Sequence, residues 1–203
     1  DLLINEESQK TPINPYGLSK LICENIIKSY ADIYNLKFIS LRFFNVGGAD
    51  LSLEVGECHN PETHLIPRAI SCCLNDETLK IYGNQFDTID GFAIRDFIHV
   101  NDLADAIYKS LKYLFSGGSN NYINLGTGLG FSVKMILDKI SSHLNKKINY
   151  RIYNQKSGNP PMLVSDNAKA AKILNWHPLN SDLKTIISTA CDWYDVASKK
   201  GYL

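Results

Sequence analysis

The sequence contains no apolar run long enough to cross a bilayer, no excess of either charge and no Cys-x-x-C pair. A membrane-spanning helix needs about 20 apolar residues, so no membrane segment is expected, and no signal peptide is expected either. The 21 basic and 21 acidic side chains balance, which argues against nucleic acid or an anionic membrane as partner. The five cysteines are odd in number, and a reduced, cytosolic compartment is the simplest expectation.

Nucleophile and metal chemistries also lack their usual sequence patterns. No serine lies in a Gly-x-Ser-x-Gly elbow. Cys58, His59 and His64 are close together in sequence but lack the spacing of a structural zinc site, so no metal is expected. The adjacent Cys72 and Cys73 lie in an apolar helical pattern, where packing in a core is the default expectation.

An alternation of strand and helix patterns predicts an α/β fold. At 203 residues the chain can form one core, or one domain and part of another. The predicted strands cover residues 38–46, 79–83, 93–100, 121–125 and 148–153. The predicted helices cover residues 15–34, 65–74, about 101–115 (capped by Asn101 or Asp102), 132–144, 167–174 and 183–199. Apolar residues line two sides of the first helix, which therefore needs two packing partners.

The start of the first predicted helix carries a candidate acid/base pair. Asn14 suits the N-cap position and Pro15 the first helical position. Tyr16 and Lys20 then lie four residues apart on one face of the helix. A free phenol is a poor base at neutral pH, and an ammonium group held nearby favours the phenolate. The Tyr-x-x-x-Lys pattern is therefore suited to proton transfer.

Two similar patterns are interpreted as structural. Tyr108 and Lys112 share the Tyr-x-x-x-Lys spacing, but they lie in an ordinary amphipathic pattern, so Tyr108 is expected to pack and Lys112 to be solvated. The Gly-Thr-Gly-Leu-Gly run at 126–130 does not have the Gly-x-Gly-x-x-Gly spacing of a dinucleotide-binding loop. A tight turn with Ser132 as the cap of the next helix explains these glycines.

Over essentially its whole length the chain resembles the UDP-glucose 4-epimerases, which are extended short-chain dehydrogenases/reductases. The motifs that carry the resemblance are Asn-Pro-Tyr-Gly-Leu-Ser-Lys at 14–20, Leu-Arg-Phe-Phe-Asn-Val-Gly-Gly-Ala-Asp at 41–50, Gly-Glu-Cys-His-Asn-Pro-Glu-Thr-His-Leu-Ile-Pro at 56–67, Ile-Tyr-Gly-Asn at 81–84, Asp-Gly at 90–91, Arg-Asp-Phe-Ile-His-Val-Asn-Asp-Leu-Ala at 95–104, Asn-Leu-Gly-Thr-Gly-Leu-Gly-Phe-Ser-Val at 124–133 and Asn-Trp-His-Pro at 175–178. The first motif is common to the superfamily, whereas those at 56–67 and 90–100 are more specific to the 4-epimerases.

The resemblance implies a domain organisation. Residues 1–50 would be the terminal helix and strand of a Rossmann-like NAD-binding domain, and residues 51–203 mostly a smaller α/β domain that binds a UDP-sugar. Segments near 93–128 can return to the Rossmann sheet. In this family the glycine-rich NAD loop, an acidic ribose contact and a Ser beside the Tyr all come earlier in the chain. We therefore expect the 203 residues to be part of a longer polypeptide and, unaided, neither to hold NAD nor to epimerise.

The resemblance also implies NAD as cofactor, UDP-glucose and UDP-galactose as substrates, and a homodimer formed through the Tyr16 helix. Tyr16 would take the proton of the sugar C4 hydroxyl, Lys20 would support the phenolate and bind the nicotinamide ribose, and Phe44 would lie beside the nicotinamide. The positions that match substrate contacts are Asn45, His64, Leu65, Lys80, Ile81, Tyr82, Arg95, Lys156, Asn159 and Leu163.

Within that set, Asn45 and Arg95 match contacts to the diphosphate, His64 and Leu65 meet the nucleotide sugar, and residues 80–82 hold uracil. A guanidinium fork suits a diphosphate. Without the surrounding motifs, Arg95 would be interpreted as the partner of Asp96 in an exposed ion pair, and Asn45 as a polar strand end.

The sequence departs from the family pattern in one loop. Where the family usually has Arg-x-Gly-Asp, this chain has Lys156-Ser-Gly-Asn159. Lysine meets phosphate as a point charge only, so weaker UDP-sugar binding is expected. Leu163 matches a position near the sugar 2-substituent, and its middling size leaves acceptance of N-acetylated sugars open. A nucleotide-sugar dehydratase or decarboxylase, and a non-catalytic UDP-sugar-binding module, remain the alternative functions.

Overall fold

The computed structural model describes residues 3–155 and 158–202. The helices in that part of the chain are α1 (Pro15–Tyr34), α2 (Leu65–Leu74), α3 (Val100–Phe115), α4 (Val133–Leu144), α5 (Ala168–Leu174) and α6 (Leu183–Lys199). The strands are β1 (Ile39–Phe43), β2 (Asn45–Gly47), β3 (Leu79–Tyr82), β4 (Ile94–His99), β5 (Asn121–Leu125), β6 (Gly130–Ser132), β7 (Tyr150–Tyr153) and β8 (Met162–Leu163). The predicted α/β class is confirmed.

Most strand pairings are parallel, which follows from the helices that connect the strands. β1 pairs with β5, and β3 pairs with β7, both in parallel. β4 is the centre of the remaining sheet: it lies parallel to β2 and β8 and antiparallel to β6. The two short strands β6 and β8 were not predicted, because two or three residues are too few to show an alternating pattern.

The predicted strand over residues 38–46 is in fact two strands that belong to different sheets. Its backbone leaves β5 at Phe44, whose N–H donates to the Leu125 carbonyl at 2.9 Å, and then joins β4. Phe38 lies just before β1 rather than in it. A continuous apolar run does not reveal a change of partner strand, since both halves are apolar.

Helix starts follow the cap residues, with one correction to the prediction. Asn14 caps α1 by accepting a hydrogen bond from the Gly17 N–H at 2.8 Å. α3 is capped not by Asn101 or Asp102 but by His99, whose Nδ1 accepts from the Asn101 N–H at 3.2 Å. Burial lowers the pKa of His99, which favours a neutral ring that accepts at Nδ1 and donates from Nε2 to Thr189.

Two main clusters of buried side chains form the core. The larger cluster joins α2, α4 and α6 with β3 and β4, and includes Cys72 and Cys73, as predicted. The second lies around the fully buried Trp176 and joins β5 to α3 and α5. None of the helices in residues 3–155 and 158–202 combines the length and the hydropathy that a membrane crossing requires.

Helix α1 packs little against the rest of the described chain. Ala31 is its one buried residue. The large apolar side chains that it exposes are Leu18, Ile22, Ile26, Ile27, Tyr30, Ile33 and Tyr34. The two apolar sides of this helix, for which the sequence predicts packing partners, are thus largely uncovered in the described part of the chain, and Phe43 at the end of β1 is exposed as well.

Candidate functional site

A cavity of about 1100 Å³ opens beside the N-terminal end of α1 and extends along β2, the loop that follows β2, and the start of α2. The predicted site residues that line this cavity are Tyr16, Phe44, Asn45, His64, Leu65 and Arg95. These residues come from two helices, two strands and the junction of β1 and β2, so the fold brings together side chains that are far apart in sequence.

Tyr16 is the second residue of α1, and its ring is 71% exposed at the mouth of the cavity. The Lys20 Nζ lies 5.0 Å from the centroid of that ring. Among residues 3–155 and 158–202, no carboxylate lies within ion-pair distance of Lys20. The ammonium is therefore available to stabilise a phenolate at Tyr16.

The matching pair Tyr108 and Lys112 shows which part of this geometry is informative. Lys112 Nζ lies 5.6 Å from the centroid of the Tyr108 ring, much as in the first pair. Tyr108 is 61% exposed, so the prediction that it packs was wrong, although Lys112 is solvated as predicted. Because Tyr108 does not line the cavity, spacing alone does not make a site.

Arg95 is held at the cavity wall by uncharged acceptors. Its Nη2 donates to the Pro160 carbonyl at 2.9 Å and to Asn159 Oδ1, and its Nη1 donates to the Ile94 carbonyl at 2.6 Å. Burial lowers the pKa of the Arg95 guanidinium. Arg95 forms no ion pair in the described part of the chain, so the alternative of a pair with Asp96 was wrong. A half-buried cation without a counter-charge favours an anionic ligand.

Asp96 points away from the cavity and fixes the loops behind it. Its fully buried carboxylate accepts hydrogen bonds from the N–H groups of Thr127, Gly128 and Ser165 and from the hydroxyls of Thr127 and Ser165. A Cβ on Gly126 would lie 2.5 Å from Asp96 Oδ2. The glycine at 126 therefore makes room for a carboxylate, and Ser132 caps α4 as predicted.

Asn45 and Leu65 line the cavity from two different elements, β2 and α2. Asn45 begins β2, where it lies opposite Phe97 of β4, and its side chain is exposed. Leu65 begins α2, directly after His64, which is the N-cap residue of that helix. The ring of His64 is 60% exposed and contacts the carboxylates of Glu57 and Glu62.

The other predicted site residues in the described part of the chain lie outside the cavity lining. Lys80, Ile81 and Tyr82 belong to β3, and Ile81 is buried in the larger core cluster rather than open to a ligand. The Lys20 ammonium lies beside the Tyr16 ring, but Lys20 does not itself line the cavity. Leu163 lies opposite Arg95 in the β4–β8 pairing, and Asn159 contacts Arg95 directly. Lys156 lies outside the described residues.

The sequence reasoning did not select Asn101, which also lines the cavity. Its Nδ2 donates to Asp50 Oδ1 at 2.8 Å, while its Oδ1 is buried and accepts no hydrogen bond from the described residues. This oxygen can accept a hydrogen bond from a ligand. The only signal in the sequence was its place within the motif at 95–104, where it was interpreted as a helix cap.

Residues 3–126 match the model of the NAD dependent epimerase/dehydratase family, and the chain belongs to that family. The resemblance to the UDP-glucose 4-epimerases is confirmed as well. The UDP-glucose 4-epimerase of Rhizobium meliloti (strain 1021) is 41% identical over 199 residues, which are 98% of this chain and 60% of that protein. That of Lacticaseibacillus casei is 40% identical over 194 residues, 95% of this chain and 58% of the relative.

Solved structures give the same result. The UDP-glucose 4-epimerase from Brucella ovis in complex with NAD superposes with a TM-score of 0.90 at 43% identity, over 95% of this chain and 59% of that one. The enzyme from Bifidobacterium longum in complex with NAD+ and UDP superposes with a TM-score of 0.88 at 28% identity, over 100% and 60% of the two chains. The chain thus spans about three fifths of the length of these relatives.

Proposed function

We propose that this chain carries the proton-transfer pair and the substrate-binding residues of an NAD-dependent enzyme that interconverts UDP-glucose and UDP-galactose. One observation carries the proposal: a single cavity is lined by Tyr16, Asn45 and Arg95, and the Lys20 ammonium lies beside the Tyr16 ring. One ligand in this cavity can therefore contact both the proton-transfer pair and the anion-binding residues. The names and bound ligands of the relatives supply the identity of that ligand.

The chemistry assigned to Tyr16 is removal of the proton from the sugar C4 hydroxyl. Lys20 stabilises the phenolate by its charge, and its ammonium also donates to the ribose of the dinucleotide. NAD, when bound, would supply reversible hydride transfer at C4 of the sugar. Phe44 at the cavity wall provides an apolar surface for the nicotinamide ring. The residues present are thus chemically suited to NAD.

The binding role falls to residues on the other side of the cavity. Arg95 meets the diphosphate with a guanidinium whose orientation is fixed by carbonyl acceptors, and Asn45 donates to the same group. His64 and Leu65 contact the nucleotide sugar. We assign Lys80, Ile81 and Tyr82 to the uracil, Ile81 through its backbone because its side chain is buried. We assign Leu163 to the sugar 2-substituent, and Lys156 and Asn159 to the phosphate and ribose, as the family motifs imply.

Calorimetric titration of the chain with UDP and then with UDP-galactose tests this proposal. We expect binding of both, and at least about a tenfold loss in Arg95→Gln, because a hydrogen bond to a charged group contributes about 1.5–3 kcal/mol. The matched control is Lys184→Gln, which removes one positive charge from an exposed position outside the cavity. Absence of heat with both ligands, or equal loss in the two variants, would contradict the assignment. Adding NAD and assaying for UDP-glucose tests the prediction that the 203 residues alone do not convert UDP-galactose to UDP-glucose.

The proposal includes the quaternary and domain organisation expected from the family. We infer a homodimer in which the apolar face of α1 packs against a second copy, and this inference is supported by the exposure of Ile33 (73%) and Ile26 (52%). Sedimentation velocity should show a dimer that Ile33→Asp converts to monomer, while Leu179→Asp at another exposed position has no effect.

Residues 1–50 are assigned to the NAD-binding domain and residues 51–203 mostly to the substrate domain. The free cysteines support a cytosolic location.

A further inference from the structure

Four ligand-type side chains converge in the loop between β2 and α2. Glu57, His59, Glu62 and His64 each offer one donor atom, and these atoms all lie within 4.8 Å of one another. In residues 3–155 and 158–202 no other group of three or more His, Cys, Asp or Glu side chains has this arrangement. All four residues also line the cavity described above.

The donor atoms of this Glu–His cluster lie close enough together to reach one tetrahedral ion after small side-chain movements. His59 Nδ1 and His64 Nδ1 lie 2.8 and 2.5 Å from the same oxygen, Glu57 Oε1. Glu62 Oε1 lies 3.3 Å from His64 Nδ1, and Glu62 Oε2 lies 3.9 Å from His59 Nδ1. Bonds of 2.0–2.2 Å to a tetrahedral zinc ion place neighbouring donor atoms about 3.4 Å apart. The two separations from Glu62 oxygens are within about 0.5 Å of that value. The two to Glu57 are hydrogen-bond distances, which must widen when an ion replaces the hydrogen-bonding protons.

The backbone that carries the cluster is anchored before any ion binds. Glu62 Oε1 accepts hydrogen bonds from the N–H groups of Thr63 and His64, both at 2.7 Å, which fixes the carboxylate and leaves Oε2 available. Trp193 Nε1 donates to the Glu57 carbonyl at 3.0 Å. A Cβ on Gly56 would lie 2.5 Å from the Trp193 ring, so the loop is packed directly onto α6 at this point.

Access and charge also suit a cation. The side chains of His59 and His64 are 58% and 60% exposed, which leaves an entry path for an ion and room for a water ligand. The two carboxylates are more enclosed, at 27% and 21%. In residues 3–155 and 158–202 no lysine or arginine forms an ion pair with either carboxylate.

We propose that the Glu–His cluster binds one divalent transition-metal ion, with zinc as the best match. Two imidazole nitrogens and two carboxylate oxygens suit zinc, whereas magnesium prefers an all-oxygen octahedral shell. The ion ties the loop to the N-terminal end of α2 and fixes the ring of His64 at the cavity wall. This site does not depend on the proposed activity. The sequence reasoning expected no metal because it considered the spacing of Cys58, His59 and His64, whereas the two glutamates complete the cluster and Cys58 is not part of it.

Equilibrium dialysis of the EDTA-treated 203-residue chain against zinc measures the site directly. We expect one zinc ion per chain in the wild type. In the double variant His59→Asn/His64→Asn the dissociation constant should be at least about 100-fold higher, because even an outer-shell change at a metal site lowers metal affinity by 10–100-fold. His177→Asn, which removes an exposed histidine elsewhere, and Cys58→Ser, which removes the neighbouring thiol, should bind zinc like the wild type. Cobalt should give the intense visible absorption of a tetrahedral complex.

Thermal unfolding provides a second readout. Zinc at a hundredfold excess over its dissociation constant should raise Tm by about 5–10 °C in the wild type and not in the double variant. Circular dichroism verifies that the variants are folded, and Glu57→Gln replaces the double variant if that protein is not. Failure of the wild type to bind zinc overturns the proposal. So does undiminished binding in the folded double variant or in Glu57→Gln, loss of binding in Cys58→Ser, or equal occupancy by magnesium.

Discussion

The carboxylate of Asp96 is the most heavily hydrogen-bonded buried group close to the cavity. It connects β4 to the turn after β5 and to the segment after β8, through Thr127, Gly128 and Ser165. A buried carboxylate is stable only when its lone pairs are satisfied in this way. Because Arg95 is the preceding residue on the same strand, the Asp96 network also fixes the backbone from which the guanidinium extends.

Asp96→Asn tests the importance of this network at the scale of one residue. The amide keeps the size of the carboxylate but directs N–H groups at other donors, so we expect a loss of about 2–4 kcal/mol in the free energy of unfolding. Ser165→Ala removes one hydroxyl donor and should cost about 1 kcal/mol. The exposed Asp87→Asn is the control and should remain within about 0.5 kcal/mol of the wild type. Urea unfolding followed by circular dichroism measures all three, and equal values for the variants at 96 and 87 would contradict the assignment.

At the scale of elements, α1 is attached to β1 chiefly by an ion pair. Glu24 accepts hydrogen bonds from Arg42 Nε at 2.6 Å and from Nη2 at 2.8 Å, and Ser40 donates to the same carboxylate. Burial alone would raise the pKa of Glu24, but the hydrogen bonds and charge of Arg42 outweigh it and lower the pKa. The pair therefore holds the helix that carries Tyr16 against the strand that leads to Phe44.

Glu24→Gln should loosen α1 and lower the free energy of unfolding by about 1–2 kcal/mol at neutral pH, a value reduced by solvent screening of a partly exposed pair. The control Asp32→Asn breaks the exposed Lys28–Asp32 pair and should cost about 0.5 kcal/mol or less. Because the folded-state pKa of Glu24 lies below its usual value of 4.5, the stabilisation is present above about pH 4.5 and lost as the pH falls through the lower folded-state pKa. Chemical unfolding between pH 7 and pH 3 checks this, and a difference in free energy of unfolding between wild type and Glu24→Gln that does not shrink as the pH falls would refute it.

The helices could be predicted almost to their ends, because cap residues and apolar periodicity are local properties. α1 begins at Pro15 and α6 ends at Lys199, as the sequence indicated. The change of partner strand at Phe44 could not be predicted, since it depends on β4 and β5, which come much later in the chain. Within the site, motif spacing identified Tyr16 and Arg95. The Asp96 network and the Glu–His cluster could not be predicted from the sequence. The first depends on how distant segments meet after folding, and the second on how loop side chains do.

For the whole molecule, the distribution of the five cysteines reports on the packing of the larger core cluster. Cys23 and Cys58 are exposed, while Cys72, Cys73 and Cys191 are buried. Burial raises the pKa of Cys191 to about 12 and also raises the pKa values of Cys72 and Cys73. A buried thiol with a raised pKa reacts slowly with a disulfide reagent, since the thiolate is the nucleophile.

Titration of the folded chain with a disulfide reagent should therefore modify two thiols rapidly, and all five after unfolding in denaturant. Mass spectrometry of the modified peptides should locate the fast sites at Cys23 and Cys58. The variant Cys23→Ser/Cys58→Ser is the control and should show no fast phase. Rapid modification of Cys191 in the folded chain would contradict the packing of α6 against α2 and α4.

The central claim is that Tyr16 is the proton-transfer residue of a UDP-sugar 4-epimerase, and a chimaera tests it most directly. The chain is fused to the part of the Rhizobium meliloti relative that its alignment leaves uncovered, and conversion of UDP-galactose to UDP-glucose is assayed with NAD. We expect an active chimaera that loses about 10²–10⁴-fold in kcat with Tyr16→Phe, the range for a general acid/base, and is unaffected by Tyr108→Phe, whose lysine neighbour is placed alike. A folded chimaera without activity, or one that keeps full activity with Tyr16→Phe, would contradict the account.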